Sequence, residues 1–180
     1  MNLYHYYLDI PVKFEPVFLE PNFAHHNQYD LSLLSFEYIK WFNDLGLTIK
    51  FGELFTRHVG QPPVPIHIDQ YTDTEHVKIN YVFCEGEHRM IWYKLTSGKQ
   101  IQIAKTGLNT DYAWARDEDC EEVYSAVVGQ PSLVNASILH GAPTITASRW
   151  CFSFSLYYLD PNRGKLTWND AVEIFKDYIK

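Results

Sequence analysis

Between positions 47 and 159 the chain breaks repeatedly into short runs of alternating apolar and polar residues. That rhythm restricts the fold more than any other feature. In VKINYVF, residues 77–83, Val77, Ile79, Tyr81 and Phe83 recur at every second position, the period at which a strand returns to one face. Glu85-Gly86-Glu87-His88 follows as a turn. Next come an apolar run at 90–95, a Ser97-Gly98 turn and a further run at 100–104. Segments 123–128, 132–139 and 149–158 complete the set. Strands this short and this closely spaced predict an all-β sandwich or barrel.

The flanks read differently. A short strand at 4–10 precedes Pro11, Pro16 and Pro21, which stop any long helix there. At 33–45, Leu34, Tyr38, Trp41, Phe42 and Leu45 form a helical stripe, and Gly46 is placed to end it. A second helix is expected after Thr167, an N-cap with Asp170 three residues on. Its apolar stripe is Val172, Phe175 and Ile179. Segment 105–122 carries an acidic cluster and little period, so it reads as a long loop, either a lid or a solvated excursion. The expected organisation is one domain over 1–180. Residues 1–46 would support it, 47–159 would form the β core, and 160–180 would close it with a helix.

Composition narrows the partners. The 180 residues include 15 Lys and Arg against 22 Asp and Glu, a net charge of −7. No basic run is present, so nucleic acid is not expected as a partner. Cys84, Cys120 and Cys151 are odd in number and widely spaced, which argues against a disulfide scaffold and for a reducing compartment. No apolar stretch of about 18 residues occurs and the N-terminus lacks a signal-peptide pattern, so no membrane association and a cytoplasmic location are expected. Aromatics reach 16%, enough to line a core or a pocket with rings.

The most informative stretch is PPVPIHIDQ. His67 and Asp69 lie two apart on a segment that reads as a strand, so both side chains leave the same face. An imidazole nitrogen and a carboxylate oxygen suit a divalent transition metal. A third ligand must come from elsewhere. His140 ends an apolar run and precedes Gly141 and Pro143, at a strand-to-turn edge. Two His and one carboxylate form the facial triad of non-haem iron(II) sites, which leaves positions open for other ligands. His5, His25, His26, His58, His76 and His88 offer other combinations.

Arg149 adds a second requirement. It opens RWCFSFSLYY, in which Arg149, Cys151, Ser153 and Ser155 share one face while Trp150, Phe152, Phe154 and Leu156 share the other. A small polar face around one cation suits a site wall, and a guanidinium there can grip a carboxylate with two parallel hydrogen bonds.

HID at 67–69, His140, and Arg149 nine positions later resemble the 2-oxoglutarate- and iron(II)-dependent oxygenase superfamily. The resemblance covers about residues 47–159. KINYVF and PSLVNASILHGAPTITASRWCFSFSL look most like the prolyl hydroxylase and aspartyl/asparaginyl β-hydroxylase-like branches. It implies a double-stranded β-helix, or jelly roll, with helices packed on one sheet. It implies that His67, Asp69 and His140 hold Fe(II), with 2-oxoglutarate and O2 as co-substrates, and that Arg149 pairs with the far carboxylate of 2-oxoglutarate. The activity implied is hydroxylation of a C–H bond on a small molecule, an amino acid or a peptide side chain.

Two positions depart from the common pattern. Many members carry Ser two residues after the Arg, where this chain has Cys151; Ser153, on the same face, is the candidate substitute. A tyrosine often assists the carboxylate, and Tyr81 or Tyr93 is the candidate. Asn80 faces opposite to Tyr81, so Asn80 and Tyr81 are alternatives. A cupin-like binding protein, or a metal-dependent cupin enzyme that does not use 2-oxoglutarate, is the rival reading.

Overall fold

The computed structural model describes residues 2–17, 26–69, 76–86, 88–105, 111–129, 131–143 and 146–180. Twelve strands are present among them: β1 (His5–Tyr7), β2 (His26–Tyr29), β3 (Leu47–Arg57), β4 (Ile66–Ile68), β5 (Val77–Cys84), β6 (Arg89–Leu95), β7 (Gln102–Lys105), β8 (Asp111–Ala115), β9 (Cys120–Val127), β10 (Ser132–Asn135), β11 (His140–Gly141) and β12 (Arg149–Tyr158). They form two antiparallel sheets of six, ordered β1-β10-β5-β12-β3-β2 and β7-β8-β4-β11-β6-β9. The helices are α1 (Phe36–Asp44) and α2 (Trp168–Phe175). None of the described helices is long and apolar enough to cross a membrane.

Pairing between the sheets' strands is nested. β6 pairs with β9, β5 with β10, β4 with β11 and β3 with β12. The chain therefore runs outward and back on itself, alternating between the sheets along most of its length. The β7–β8 hairpin is an insertion in this scheme and adds to the free edge of β4.

Both faces of the central strands are buried. On β12, Phe152, Phe154 and Leu156 join Ile79 and Tyr81 of β5 in a cluster with Tyr38, Trp41 and Phe42 of α1 and Trp168, Ala171 and Phe175 of α2. Both helices thus cover the outer face of the first sheet, each by its own apolar stripe. Between the sheets, Val82, Met90, Trp92, Ala126, Val134 and Cys151 form a second, smaller core.

Local chemistry sets the helix ends. The Ser35 hydroxyl accepts from the Tyr38 amide and starts α1 three residues later than the stripe alone predicts. The preceding residues Leu31–Leu33 make a 3-10 turn capped by Asp30. Gly46 ends the helix at φ +73, the left-handed conformation that glycine adopts without a Cβ clash. Thr167 caps α2 as predicted, its hydroxyl accepting from the Asp170 amide.

Three expectations need correction. Segment 105–122 is not one long loop. Residues 111–115 are strand β8, paired with both β4 and β7, and β9 begins at Cys120; residues 106–110 lie outside the described residues. The run at 132–139 is not one strand. β10 ends at Asn135, whose side chain accepts from the Ser137 amide and turns the chain, and β11 follows in the other sheet. The first strand is also shorter, because beyond Tyr7 the backbone pairs with the C-terminal residues, as in Asp9 N–H to the Tyr178 carbonyl.

His5 shows the energetic consequence of this packing. Its ring lies edge-on to Tyr7 at 4.4 Å and its Nε2 is 3.3 Å from the Ser132 hydroxyl. Burial pulls its pKa down from 6.5 to about 4. The unfolded chain therefore binds a proton that the folded chain refuses between these values. Stability is present above about pH 6.5 and is lost as pH falls toward 4. Urea titrations of the wild type are expected to lose roughly 3 kcal/mol more over this interval than those of His5→Gln. Parallel pH profiles for the two proteins would refute the assignment.

Candidate metal centre

The triad is assembled by strand register. β11 pairs with β4 so that His140 stands directly opposite His67. Asp69, two residues past His67, emerges on the same face just beyond the end of β4, where its amide donates to the Ala136 carbonyl. Pro62, Pro63 and Pro65 keep the approach to β4 extended. The His67 and His140 rings lie 4.5 Å apart. Asp69 Oδ1 is 3.0 Å from His67 Nε2 and 3.8 Å from His140 Nε2. Among the described residues these three make up the group of His, Cys, Asp or Glu side chains whose donor atoms converge, all within 4.8 Å.

Both imidazoles are oriented in the same way. His67 Nδ1 lies 2.8 Å from the Pro65 carbonyl, and His140 Nδ1 lies 2.8 Å from the Ile138 carbonyl. A carbonyl oxygen can only accept, so each Nδ1 carries the hydrogen and each Nε2 is turned inward. This is how backbone groups fix the tautomer of a metal-binding histidine.

Charge is distributed to suit a cation. Burial would raise the Asp69 carboxyl, but the Lys78 ammonium and the two imidazoles hold it well below the usual carboxylate range. Burial, and then the neighbouring His67, pushes His140 down to about 4, so its ring is neutral at physiological pH. Burial would lower His67 as well, but the hydrogen bond and charge of Asp69 and the Pro65 carbonyl together outweigh this and raise it. Two inward nitrogens and an ionised oxygen suit a divalent transition metal.

A cavity of about 100 Å³ opens beside the triad. Its far wall is the inner face of the first sheet, where register sets rows across three strands. Arg149 pairs with Arg57, Cys151 with Phe55 and Val82, and Ser153 with Glu53 and Asn80. Arg57 donates to the carbonyls of Pro62, Ala142 and Pro143. It thereby ties the chain before β4 to the turn after β11. Arg149, only 7% exposed, contacts the Cys151 thiol, and its Nη1 is buried without a hydrogen-bond partner among the described residues. Two adjacent guanidiniums, one with an unanswered donor, call for an anion.

The remaining candidates divide. Ser153 and Asn80 both line the cavity, and the Ser153 hydroxyl donates to Asn80 Oδ1 at 2.7 Å. Contrary to the expectation from sequence, Tyr81 does not reach it. It points to the helix side of the sheet, where Tyr38 donates to its hydroxyl at 2.9 Å and Phe14 packs on its ring. Period two decides this, since Asn80 already takes the inner face. Tyr93 packs beside Ile66 and Leu139 in a third cluster and does not line the cavity. Of the other histidines, His26 bonds Glu53 at 3.0 Å, His58 lies near Ser148, and His5 and His76 are buried elsewhere; His25 is outside the described residues.

Three residues at the site were not anticipated. Lys78, Glu53 and Arg57 all face inward. Lys78 shares its face with Asn80 in VKINYVF, so the same alternation that nominated Asn80 was the signal for Lys78. No protein-family model matches the chain, and no curated protein matches it.

The orphaned guanidinium carries a stability consequence. A buried cation with an unmet donor beside a second cation costs folding free energy. In ligand-free protein, Arg149→Met is expected to raise stability by about 1–2 kcal/mol. Chemical denaturation checks this, and a loss of stability of similar size would show that the protein itself satisfies Arg149.

Proposed function

We propose that this chain is an Fe(II)- and 2-oxoglutarate-dependent oxygenase that hydroxylates a C–H bond. The observation that carries the reading is the unsatisfied Arg149 guanidinium in the same cavity as the His67, Asp69 and His140 triad. A metal-binding jelly roll without an acidic co-substrate gives that guanidinium no task.

The fold supports the reading. A nested hairpin wound into two facing sheets is compatible with the double-stranded β-helix expected of this superfamily, in which the β7–β8 hairpin would be an elaboration. The triad sits at the cavity on the second sheet and Arg149 on the first. Oxidation at such a centre couples two changes: 2-oxoglutarate loses CO2 and gains one atom of O2 to become succinate, and the other atom enters the substrate C–H bond.

The chain's own residues would do the rest. His67 Nε2, His140 Nε2 and Asp69 Oδ1 would hold the iron. Arg149 would receive the far carboxylate of 2-oxoglutarate through its free Nη1, next to Cys151. Ser153 and Asn80, already bonded to each other, would line the path between these ends. Phe55, Val64 and Met90 line the cavity with apolar surface and help exclude water. The primary substrate would approach from outside this space, as a small molecule, an amino acid or a peptide side chain.

Anaerobic addition of Fe(II) and 2-oxoglutarate is expected to produce the weak visible charge-transfer band of the chelate. His67→Ala should abolish the band. Arg149→Ala should keep it but raise the 2-oxoglutarate concentration required by about 10–100-fold. Absence of the band in folded wild-type protein would count decisively against the oxygenase reading.

A further inference from the structure

Lys78 is the least ordinary residue near the triad. It lies on β5 and is 2% exposed, a burial that lysine tolerates only when paired. Its Nζ sits 2.7 Å from Asp69 Oδ2 and 2.6 Å from Glu53 Oε2. The other Glu53 oxygen is 3.0 Å from His26 Nε2, and the His26 ring stacks on Phe55 at 4.6 Å. A fixed chain of contacts therefore runs from Phe55 and His26 through Glu53 and Lys78 to Asp69. Lys78 and Glu53 lie on strands either side of β12, whose residues in the intervening register are Ser153 and Ser155. Those small side chains leave room for the ammonium to cross.

This chain divides the two oxygens of Asp69. Oδ1 faces both imidazole nitrogens, and Oδ2 is taken by Lys78. We propose that Lys78 is a positioning residue of the metal centre, a permanent counter-ion that confines Asp69 to coordination through Oδ1 alone. The inference rests on the triad binding a divalent ion, as proposed above.

Two consequences follow for the site. A carboxylate that coordinates through one oxygen leaves one more position open than a carboxylate that chelates. Lys78 would therefore help preserve the vacancies that a co-substrate and a second ligand need. The ammonium also competes with any divalent ion for the charge of Asp69, so the geometry is obtained at some loss of metal affinity. Glu53 is what keeps the ammonium in place, because without it Lys78 would be a buried cation held from one side only.

Mn(II) tests this without relying on turnover. Its binding is followed by loss of the free-ion magnetic resonance signal, and its bound waters are counted in 17O-enriched solvent. The variant is Lys78→Met combined with Glu53→Gln, which removes the cation together with its second counter-charge. Wild type should bind Mn(II) and His67→Ala should not. With the competing cation removed, the double variant should bind on the order of tenfold more tightly, with one coordinated water fewer, and Lys78→Arg should restore the wild-type water count. Unchanged affinity and water count in the double variant would overturn the role of Lys78 while leaving the triad intact. Failure of folded wild type to bind Mn(II) would overturn the triad and this inference together. If the metal-free double variant does not fold, Mn(II) should rescue its refolding by replacing Lys78 as the counter-ion of Asp69, and failure to do so would overturn the proposal.

Discussion

The first sheet is buried on both faces, and most of the molecule's design answers that constraint. A sheet with one solvated face can send its alternate residues to water. β5 and β12 cannot. The helices close the outer face with large aromatic side chains, and the second sheet closes the inner one. Every polar residue on the inner face must therefore find a partner inside the protein. Ser153 finds Asn80, Lys78 finds two carboxylates, and Arg57 finds three carbonyls. Arg149 is left with an unmet donor at the wall of the cavity, and the buried Ser155 hydroxyl on the same face of β12 is likewise without a partner among the described residues. An interior polar face is costly to build, and its occupants are the residues that give the site its chemistry.

Much of this was legible in the sequence because strand periodicity is local. The two faces of RWCFSFSLYY, the Arg-bearing one and the aromatic one, separate in the structure as the alternation predicts. The same rule puts His67 and Asp69 on one side of their segment. Thr167 and Gly46 mark helix ends by side-chain and backbone chemistry that needs no tertiary context. The pairing of His140 with His67 is different in kind. Nothing local specifies it, and it follows only from the nested order of the strands.

What escaped the sequence is physically coherent. DYAWA at 111–115 is a strand because two neighbours pair with it, although its own alternation is short and flanked by acids. The break after Asn135 looks apolar and continuous in sequence, but a side-chain hydrogen bond there redirects the chain into the other sheet. Tyr81 was nominated by residue type, and the alternation already assigned its face to the helices. Alternation puts Lys78 on the face of Asn80, but the second sheet and the Glu53 and Asp69 carboxylates make that lysine an interior cation, and a single strand's text contains neither.

The β7–β8 hairpin stands outside the nested scheme, lying in the connection between the paired strands β6 and β9. It is nevertheless the neighbour of β4, and Trp114 stands opposite His67 while the Tyr112 ring lies 6.3 Å from the His67 ring. The hairpin therefore forms a ledge at one edge of the second sheet that meets the triad at His67. Such a ledge can be lengthened, shortened or resurfaced in evolution without disturbing the closure of the sandwich. Surface diversity beside the candidate metal centre would thus be decoupled from the folding of the scaffold that holds it.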